Sequence, residues 1–400
     1  MTSDAATPNA AAPDAATPDA TRGGTPDTGT AETGIRSRQL AGRGLRLTGI
    51  AALIVAAALF PTAFPNATAT NFGVVTLIFV AVVSAWNMFS GYSGYLSLGH
   101  AVFYGTGAYF LVVAAKDWHL TGSTVFWLVP LAGAVAAVIA VPVGLVALRV
   151  RRHTFVVITI ALFFIAQLSA SNLSVTGGSS GLSAPALNTW TAATYNNPFY
   201  YLALLIAVAA VVLSVLVRRS RFGLQLRAIR DDEDRAAGLG VRAMPVKLTA
   251  LVLSAFITGM AGAVWVFFLG EAVPQFVFDP LFDLAVVLMA FFGGLGTVAG
   301  PVLGALILEP TQMWLNLQET NEYTAEILFG ALFLVVILFL PRGVLPTGGE
   351  YLTAGRARWQ RRRTRSAGED GQPAPDAPPG PGALLAPEGQ AASGAGGSAQ

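Results

Sequence analysis

The sequence predicts an all-α, polytopic membrane protein with about ten transmembrane helices, some of them short or broken. Its composition is the first indication, since 54% of the 400 residues are hydrophobic and only 12% are charged. A soluble domain carries about 25% charged residues. The distribution of charge is the second, because most charged residues fall before Thr48, between Arg218 and Lys247, or after Arg342. Between these regions lie apolar segments long enough to cross a bilayer.

The two ends of the chain differ in composition from the predicted membrane domain, residues 48–346. Residues 1–45 are mainly Ala, Thr, Pro, Asp and Gly, and residues 348–400 are rich in Pro, Gly, Ala and Arg. Such segments bury too little apolar surface to offset their loss of conformational entropy, so we expect two disordered tails. The N-terminal segment also lacks the basic-then-apolar pattern of a secretory signal peptide.

Most apolar segments have the length of a single spanning helix, about 20 residues. They are Thr48–Phe64, Phe72–Phe89, Leu96–Ala115, Thr124–Leu148, Thr154–Ser171, Pro198–Val217, Leu248–Leu269 and Tyr323–Leu340. One further apolar region, Asp283–Leu317, is interrupted by the sequence GGLGTVAGP. We interpret it as two shortened or tilted spans that meet at the glycines, with a re-entrant pair as the alternative.

Clusters of arginine predict the orientation of these spans. They occur before the first span, after the fourth, after the sixth and after the last. Because arginine is enriched in cytoplasmic loops, ten spans with both termini in the cytoplasm place every cluster on the inner side. The uncharged stretch Ser171–Val217 and the acidic sequence QETNEYTAE then face outward.

Several classes of function are disfavoured by the residues that are missing. The sequence has no cysteine, and its three histidines are too far apart for a local metal site. Neither lysine, Lys116 or Lys247, follows a glycine, so the chain contains no P-loop. It also contains no HExxH motif. We therefore expect no enzyme, metal or cofactor here, and the basic residues indicate topology rather than nucleic-acid binding.

The longest polar segment between predicted spans is residues 218–247. Ile229, Ala236 and Leu239 recur there near helical spacing, which predicts one short amphipathic helix. Gly240 suits its C-terminal stop, since glycine adopts the left-handed conformation cheaply. A solvated loop that carries topogenic arginines is the alternative. A short capped helix with a small-residue end would suit docking in a groove of another protein.

The segment NMFSGYSGYLSLGHAVFYGTGAYF, Asn87–Phe110, is unusual for a lipid-facing helix. Each of its five glycines lowers helix propensity by up to about 1 kcal/mol. Broken backbone at membrane depth is tolerated only against protein or beside a water-filled cavity. We predict a kinked or re-entrant element near a translocation pathway. Close packing is the alternative for the glycines, and a hydrogen-bonded packing role is the stronger alternative for His100.

Polar and small residues elsewhere add to the predicted pathway and its packing. Gly296, Gly300 and Gly304 repeat every four residues, which predicts a small-residue packing face on one helix. Glu309 is an acid well inside an apolar stretch, where carboxylates are usually paired or functional. A position at the outer membrane interface is the alternative. The candidate pathway residues are Asn87, Gly91, Gly94, Ser97, His100, Thr159, Gln167 and Glu309.

Five motifs, taken together, resemble those of M-type branched-chain amino acid permeases from ABC importers. The pattern RxGxxLxAIRxxExxAxxxG, beginning at Arg221, resembles the loop of that family that couples to its ATPase. GYSGYLSLGHAVFYGTGAY, TGGSSGL, GGLGTVAGPVLGA and PRGVLP resemble four further family motifs, in the family's order. The resemblance extends from about Thr48 to Pro346 and leaves only the tails uncovered.

The resemblance implies a permease subunit that forms the translocation path for branched-chain amino acids. The energy would come from a separate ATPase docked on the 218–247 loop through Arg221, Gly223, Arg227, Ala228, Ile229, Arg230, Glu233, Ala236, Ala237 and Gly240. Its implied partners in the bacterial cytoplasmic membrane are a second, H-type permease, two ATPases and an extracytoplasmic solute-binding protein that meets the Ser171–Pro198 loop. Two alternatives remain: the same role for urea, amides or another small polar solute, and a stand-alone channel or secondary transporter.

Overall fold

The computed structural model describes residues 52–63, 66–185 and 195–318, together with scattered residues between 324 and 345. Both predicted tails and most of the predicted last span lie outside these residues. The helices are α1 Ala52–Ala63, α2 Ala67–Trp86, α3 His100–Asp117, α4 Leu128–Ala147, α5 Arg152–Asn172, α6 Asn196–Arg219, α7 Arg221–Asp231, α8 Glu233–Gly238, α9 Ala243–Leu269, α10 Pro274–Val277, α11 Pro280–Gly293 and α12 Ala299–Gln318.

Short elements join several of these helices. A π-helix, Asn87–Gly91, continues from α2, and 3₁₀ turns occupy Gly122–Trp127 and Gly178–Ser180. Two short strands, β1 Leu182–Ser183 and β2 Glu271–Ala272, pair in antiparallel register. The pairing joins the loop after α5 to the chain just after α9. The C-terminal ends of α5 and α9 therefore lie at the same end of the helix bundle.

The chain is a multi-pass membrane protein, as the sequence predicts. Among the described residues, 6 helical segments are long and apolar enough to cross a membrane. They are Ala67–Gly91, Gly122–Ala147, Arg152–Asn172, Asn196–Arg219, Ala243–Leu269 and Pro274–Gly293. Helices α3 and α12 have 18 and 20 residues but fall outside this set. The predicted total of ten therefore stays a prediction.

The predicted segments around glycine are interrupted in the structure. The chain is not helical between Ser93 and Gly99, so α3 begins at His100 rather than at the predicted Leu96. The region from Asp283 to Leu317 divides between α11 and α12. Helix α11 ends where Gly294 adopts a positive φ of 122°, a conformation that L-residues avoid.

Helix α9 forms the centre of the described bundle. It packs against α3 and α4 on one side and against α2 on the other, while α2 also packs along α6 and α12. Close approach is possible because small residues line these contacts. A Cβ at Gly259 or Gly262 would collide with Ala136 of α4 or with the Tyr104 backbone of α3. Without a hydrophobic drive between helices in lipid, this close packing holds the bundle together.

Helices α4, α5 and α6 form much of the described outer surface. They expose large apolar side chains, including Val138, Val157, Leu168 and Leu205, each more than 60% exposed. Such side chains would face lipid, whereas most of α2 and α9 is enclosed by protein. Polar groups inside the bundle must consequently find partners within the protein.

Candidate functional site

The polar segment 218–247 meets the start of α5 at one end of the bundle, which we call the loop end. One Nη atom of Arg152, at the start of α5, donates to the carbonyls of Ile229 and Arg230, at 2.6 Å each. Two of the predicted arginine clusters therefore lie together. The β1–β2 pair lies at the opposite end, which we call the far end.

The predicted single helix of this segment needs correction, because the structure contains two. Helix α7 begins at a Ser220 cap, whose hydroxyl accepts from the Gly223 backbone. It ends at Asp232, whose extended backbone and side-chain carboxylate cap the start of α8. Aspartate is a strong N-cap and so favours a new helix start here. Gly240, with φ +86°, provides the predicted stop after α8.

The two faces of this helix pair differ in exposure. Gly223, Leu226, Ile229 and Ala236 are buried against the membrane helices. On the opposite face lie exposed residues that include two apolar side chains, Leu224 at 58% and Leu239 at 85% exposure. Of the predicted docking residues, Arg221, Arg227, Ala237 and Gly240 are exposed, whereas Ala228, Arg230 and Glu233 are partly buried.

Arg230 ties the helix pair to the broken segment after α2. Its Nη1 donates to the Gly91 carbonyl at 2.6 Å. Gly91 is the last residue of the π-helix, where the main chain leaves the regular helical pattern. A charged donor on such a carbonyl makes a stronger hydrogen bond than a neutral one. The position of α7 and the conformation of the π-helix are thus linked directly.

A second tie joins α8 to α9 and to the same broken segment. Lys247 Nζ lies 2.7 Å from Glu233 Oε1 and 3.0 Å from the Tyr95 hydroxyl. The Tyr95 hydroxyl donates to the other oxygen of Glu233. The Lys247 side chain is 3% exposed and that of Glu233 31%. Lys247 also lies 4.2 Å from the centroid of the Tyr95 ring, within the range of a cation–π contact.

This arrangement keeps Glu233 charged. Partial burial raises the pKa of its carboxyl group, but hydrogen bonds from Lys247 and Tyr95 outweigh that effect and hold the pKa below its usual range. The ionised carboxylate then faces an ammonium group in a partly desolvated setting. Removing one partner of such a pair is costly because the other charge stays behind.

Asn87 fastens the π-helix to the loop before α12. Its Nδ2 donates to the Thr297 carbonyl at 2.8 Å, and its Oδ1 accepts from the Gly296 backbone at 2.8 Å. Asn87 is fully buried. Together with the Arg230 contact on Gly91, these bonds hold the broken segment after α2 against two distant parts of the chain. We call this segment the break.

The other predicted pathway residues near the break are also paired within the protein. His100 is fully buried, with Nδ1 at 3.0 Å from Ser97 Oγ and Nε2 at 2.8 Å from Ser254 Oγ. The Thr159 hydroxyl accepts from the Leu98 backbone at 3.2 Å. Gly94 adopts φ +74° beside Arg230. Asn87, Gly91, Gly94, Ser97, His100 and Thr159 therefore form one group at the break.

Gln167 and Glu309 lie apart from that group. Gln167 Nε2 donates to the Phe278 carbonyl at 2.7 Å, near the far end. Glu309 belongs to α12 and is only 4% exposed. Its Oε2 has no hydrogen-bond partner among the described residues. It lines a cleft of about 340 Å³ between α2, α9 and α12.

The expected helical face of Gly296, Gly300 and Gly304 needs correction at its first member. Gly296 lies in the turn before α12, with φ +78°, so it is not on the helix. Gly300 and Gly304 do lie on α12. A Cβ at Gly304 would collide with the Met289 carbonyl of α11, and the Gly300 backbone leaves no room for a Cβ at Gly293.

Sequence reasoning missed Lys247, Tyr95, Arg152 and Asp283 as members of these networks. Lys247 fell just outside a predicted span, although a lone lysine beside an apolar run is a usable signal. Asp283 is 3% exposed, and its Oδ1 accepts from the Ala101 backbone at the start of α3. No pattern in the sequence links Asp283 with Ala101, since 182 residues separate them.

A comparison with protein families matches residues 68–337 to the family described as branched-chain amino acid transport system, permease component. The match covers more than half of the 400 residues. The chain belongs to this family. It is a permease, and the broken segment, the loop and the cleft described above all lie within the matched region.

Individual relatives agree with this assignment. The permease is 28% identical over 328 residues to the high-affinity branched-chain amino acid transport system permease protein LivM of Escherichia coli K12, covering 74% of each chain. It is 26% identical over 284 residues to the permease protein LivH of Salmonella typhimurium, covering 67% of this chain and 91% of LivH. No solved structure matches the permease.

Proposed function

We propose that this permease is the M-type subunit of an ABC importer and forms the translocation path for branched-chain amino acids. The observation that carries the proposal is the helix pair α7–α8. Its outer face exposes Leu224 and Leu239, while its inner face is bonded through Arg230 and Glu233 to the broken segment around Gly91 and Tyr95. A protein that moved this helix pair would also move that segment.

The proposed source of energy is a pair of separate ATPases at the loop end. The sequence contains no P-loop, so ATP hydrolysis has to come from another chain. The exposed apolar side chains of Leu224 and Leu239 are suited to a groove on such a partner, because buried apolar anchors supply much of the affinity of an interface. Arg227, also exposed, lies on α7 between them.

The remaining partners follow from topology and from the relatives. We propose ten spans over residues 48–346 with both termini in the cytoplasm, which puts the loop end inside and the far end outside. The likeness to LivH as well as LivM supports pairing with a second permease of the H-type. An extracytoplasmic solute-binding protein would meet the far end near the Ser171–Pro198 loop, of which residues 186–194 lie outside the described part.

The experiment is a mild-detergent pull-down of the tagged chain from its native host, with co-purifying proteins identified by mass spectrometry. The test variant is Leu239→Asp, on the exposed face of the loop end. The matched control is Leu173→Asp, an exposed leucine near the far end, where no ATPase contact is proposed. Neither leucine is buried, so the two variants should fold alike.

The proposal predicts that the wild-type chain and Leu173→Asp recover an ATPase and a second permease. Leu239→Asp should lose the ATPase and keep the second permease. If the wild-type chain is recovered alone even after cross-linking, the stand-alone channel or secondary transporter becomes the better account. If a solute-binding protein is recovered that binds urea or an amide and not leucine, the assembly stands and the proposed substrate fails.

A further inference from the structure

The cleft at the far end has one acidic and two amide side chains on one face of α12. Glu309, Gln312 and Asn316 follow one another at spacings of three and four residues on α12, and all three line the cleft. Residues with this spacing lie on the same side of a helix. They form a polar stripe that runs from the buried Glu309 to the outer end of α12.

The opposite wall of the cleft is mainly apolar. Val75 of α2 and Trp265 and Phe268 of α9 line it, with Asn71 of α2 as a polar residue beside them. A neighbouring cleft of about 490 Å³ shares Asn71, Met313 and Asn316 with it and opens among the outer ends of α2, α6 and α12. The combined space is therefore polar along α12, mainly apolar against α9, and continuous with the far-end surface, where Thr68, Asn71 and Asn196 add polar groups.

Glu309 is the group at this site that lacks a partner. Its side chain is enclosed, with 4% exposure, and Oε2 has no hydrogen bond within the described residues. An isolated carboxylate in an apolar setting is costly to ionise, and an adjacent cation repays that cost. A ligand that brings an ammonium group into the cleft would offer the Glu309 carboxylate the cation that it lacks.

We infer that this cleft is an outward-facing subsite for a zwitterionic solute with an apolar side chain. Glu309 holds the ammonium group, Gln312 and Asn316 donate to the carboxylate, and Trp265 and Phe268 contact the side chain. The inference rests on the proposed function. It assigns the proposed substrate class, branched-chain amino acids, to particular residues of the cleft. The same geometry disfavours urea and other neutral amides, which carry no cation for Glu309.

The test uses the absence of cysteine from the sequence, since a single introduced thiol can be labelled without background. Met313→Cys reports on the cleft, since Met313 lines both clefts and has no proposed contact with the ligand. Asp117→Cys is the matched control, at an exposed position at the C-terminal end of α3 and outside the Ser171–Pro198 loop. Both are labelled with a small neutral methanethiosulfonate in membranes of the native host. The added ligands are L-leucine, isoamylamine, which lacks the carboxylate, and 4-methylpentanoate, which lacks the ammonium group.

The inference predicts that leucine, at ten times its dissociation constant for the permease, slows labelling of Met313→Cys about tenfold. Isoamylamine also protects, 4-methylpentanoate does not, and Asp117→Cys labels at the same rate throughout. Adding Glu309→Gln, which keeps the size of the side chain and removes its charge, abolishes protection. The labelling rate without ligand should be unchanged in that background, which shows that the cleft itself is intact.

Other results overturn the inference. These are no labelling of Met313→Cys when Asp117→Cys reacts, no protection by leucine, equal protection in Glu309→Gln, or protection by 4-methylpentanoate alone. Labelling does not depend on ATP hydrolysis or on recovery of the ATPase. If the pull-down recovers no ATPase but leucine still protects the cleft thiol, the importer assembly alone is rejected. If the ATPase is recovered but leucine gives no protection, the subsite alone is rejected.

Discussion

Lys247 Nζ lies 2.7 Å from Glu233 Oε1 and so joins the first turns of α9 to α8 through a largely buried ion pair. The Tyr95 hydroxyl contacts both groups and brings in the non-helical segment between α2 and α3. Arg230 makes an independent link from α7 to Gly91. The loop that we propose as the ATPase contact is thus attached at two places to the broken part of the membrane domain.

Replacing Lys247 with methionine should destabilise the protein strongly. The change keeps most of the side-chain volume but leaves the Glu233 carboxylate without its cation. Loss of one partner of a buried pair costs roughly 3–5 kcal/mol, and we expect the lower end of that range because Glu233 keeps 31% of its side-chain surface exposed. Equilibrium unfolding in mild detergent, followed by tryptophan fluorescence, measures the difference.

Lys116→Met is the matched control for that experiment, since Lys116 is exposed and is the other lysine of the sequence. It should change the free energy of unfolding by less than about 0.5 kcal/mol. The double variant Lys247→Met with Glu233→Gln should regain part of the lost stability, because it leaves no unpaired charge. Equal effects of Lys247→Met and Lys116→Met would contradict the ion pair.

Acid should weaken this contact. The pKa of Glu233 is lowered in the folded protein by Lys247 and Tyr95, against the opposing effect of burial. A group with a lowered folded pKa adds stability above its unfolded pKa, and that stability is lost as pH falls through the folded value. The melting temperature should therefore decrease below about pH 4.5, and the decrease should be smaller in Glu233→Gln. Identical pH profiles for the two proteins would count against the paired carboxylate.

Asn87→Leu should destabilise the π-helix and the loop before α12. The substitution is close in size but removes both hydrogen bonds, leaving the Gly296 N–H and the Thr297 carbonyl without their partner. Each unsatisfied group costs about 1–3 kcal/mol, so the two together should lower the free energy of unfolding by about 2–6 kcal/mol. Asn172→Leu, at an exposed position on α5, should have little effect. A small change in both variants would mean that the contact carries little stability.

The helical membrane fold could be predicted because its signal is local. Apolar segments of spanning length identified α2, α4, α5, α6 and α9 to within about five residues at each end. Glycine placement identified the two interruptions, after α2 and between α11 and α12. Boundaries were less accurate where a polar side chain decides the helix start, as Asp232 does at the cap of α8.

The contacts within the candidate site could not be predicted because they join distant parts of the chain. Tyr95 and Glu233 are 138 residues apart, and Asn87 and Thr297 are 210 apart. The pattern of the 218–247 loop identified Arg230 and Glu233 as members of the loop, yet it gave no indication that both face inward. For Gly296, four-residue spacing suggested a helix, but Asn87 holds that residue in a turn instead.

The central claim is that Arg230 transmits movement of the α7–α8 pair to the broken segment. The most direct test is leucine uptake and ATP hydrolysis in proteoliposomes containing the full assembly, with Arg230→Gln compared against Arg242→Gln. Arg242 is exposed on the same loop, so its replacement removes the same charge without removing the bond to Gly91.

Loss of a hydrogen bond from a charged donor costs about 1.5–3 kcal/mol, which corresponds to about tenfold or more in an equilibrium. We predict that Arg230→Gln lowers uptake about tenfold while ATP hydrolysis and recovery of the ATPase stay at the level of Arg242→Gln. Uptake equal to that of Arg242→Gln, or a parallel loss of uptake and hydrolysis, would contradict the claim.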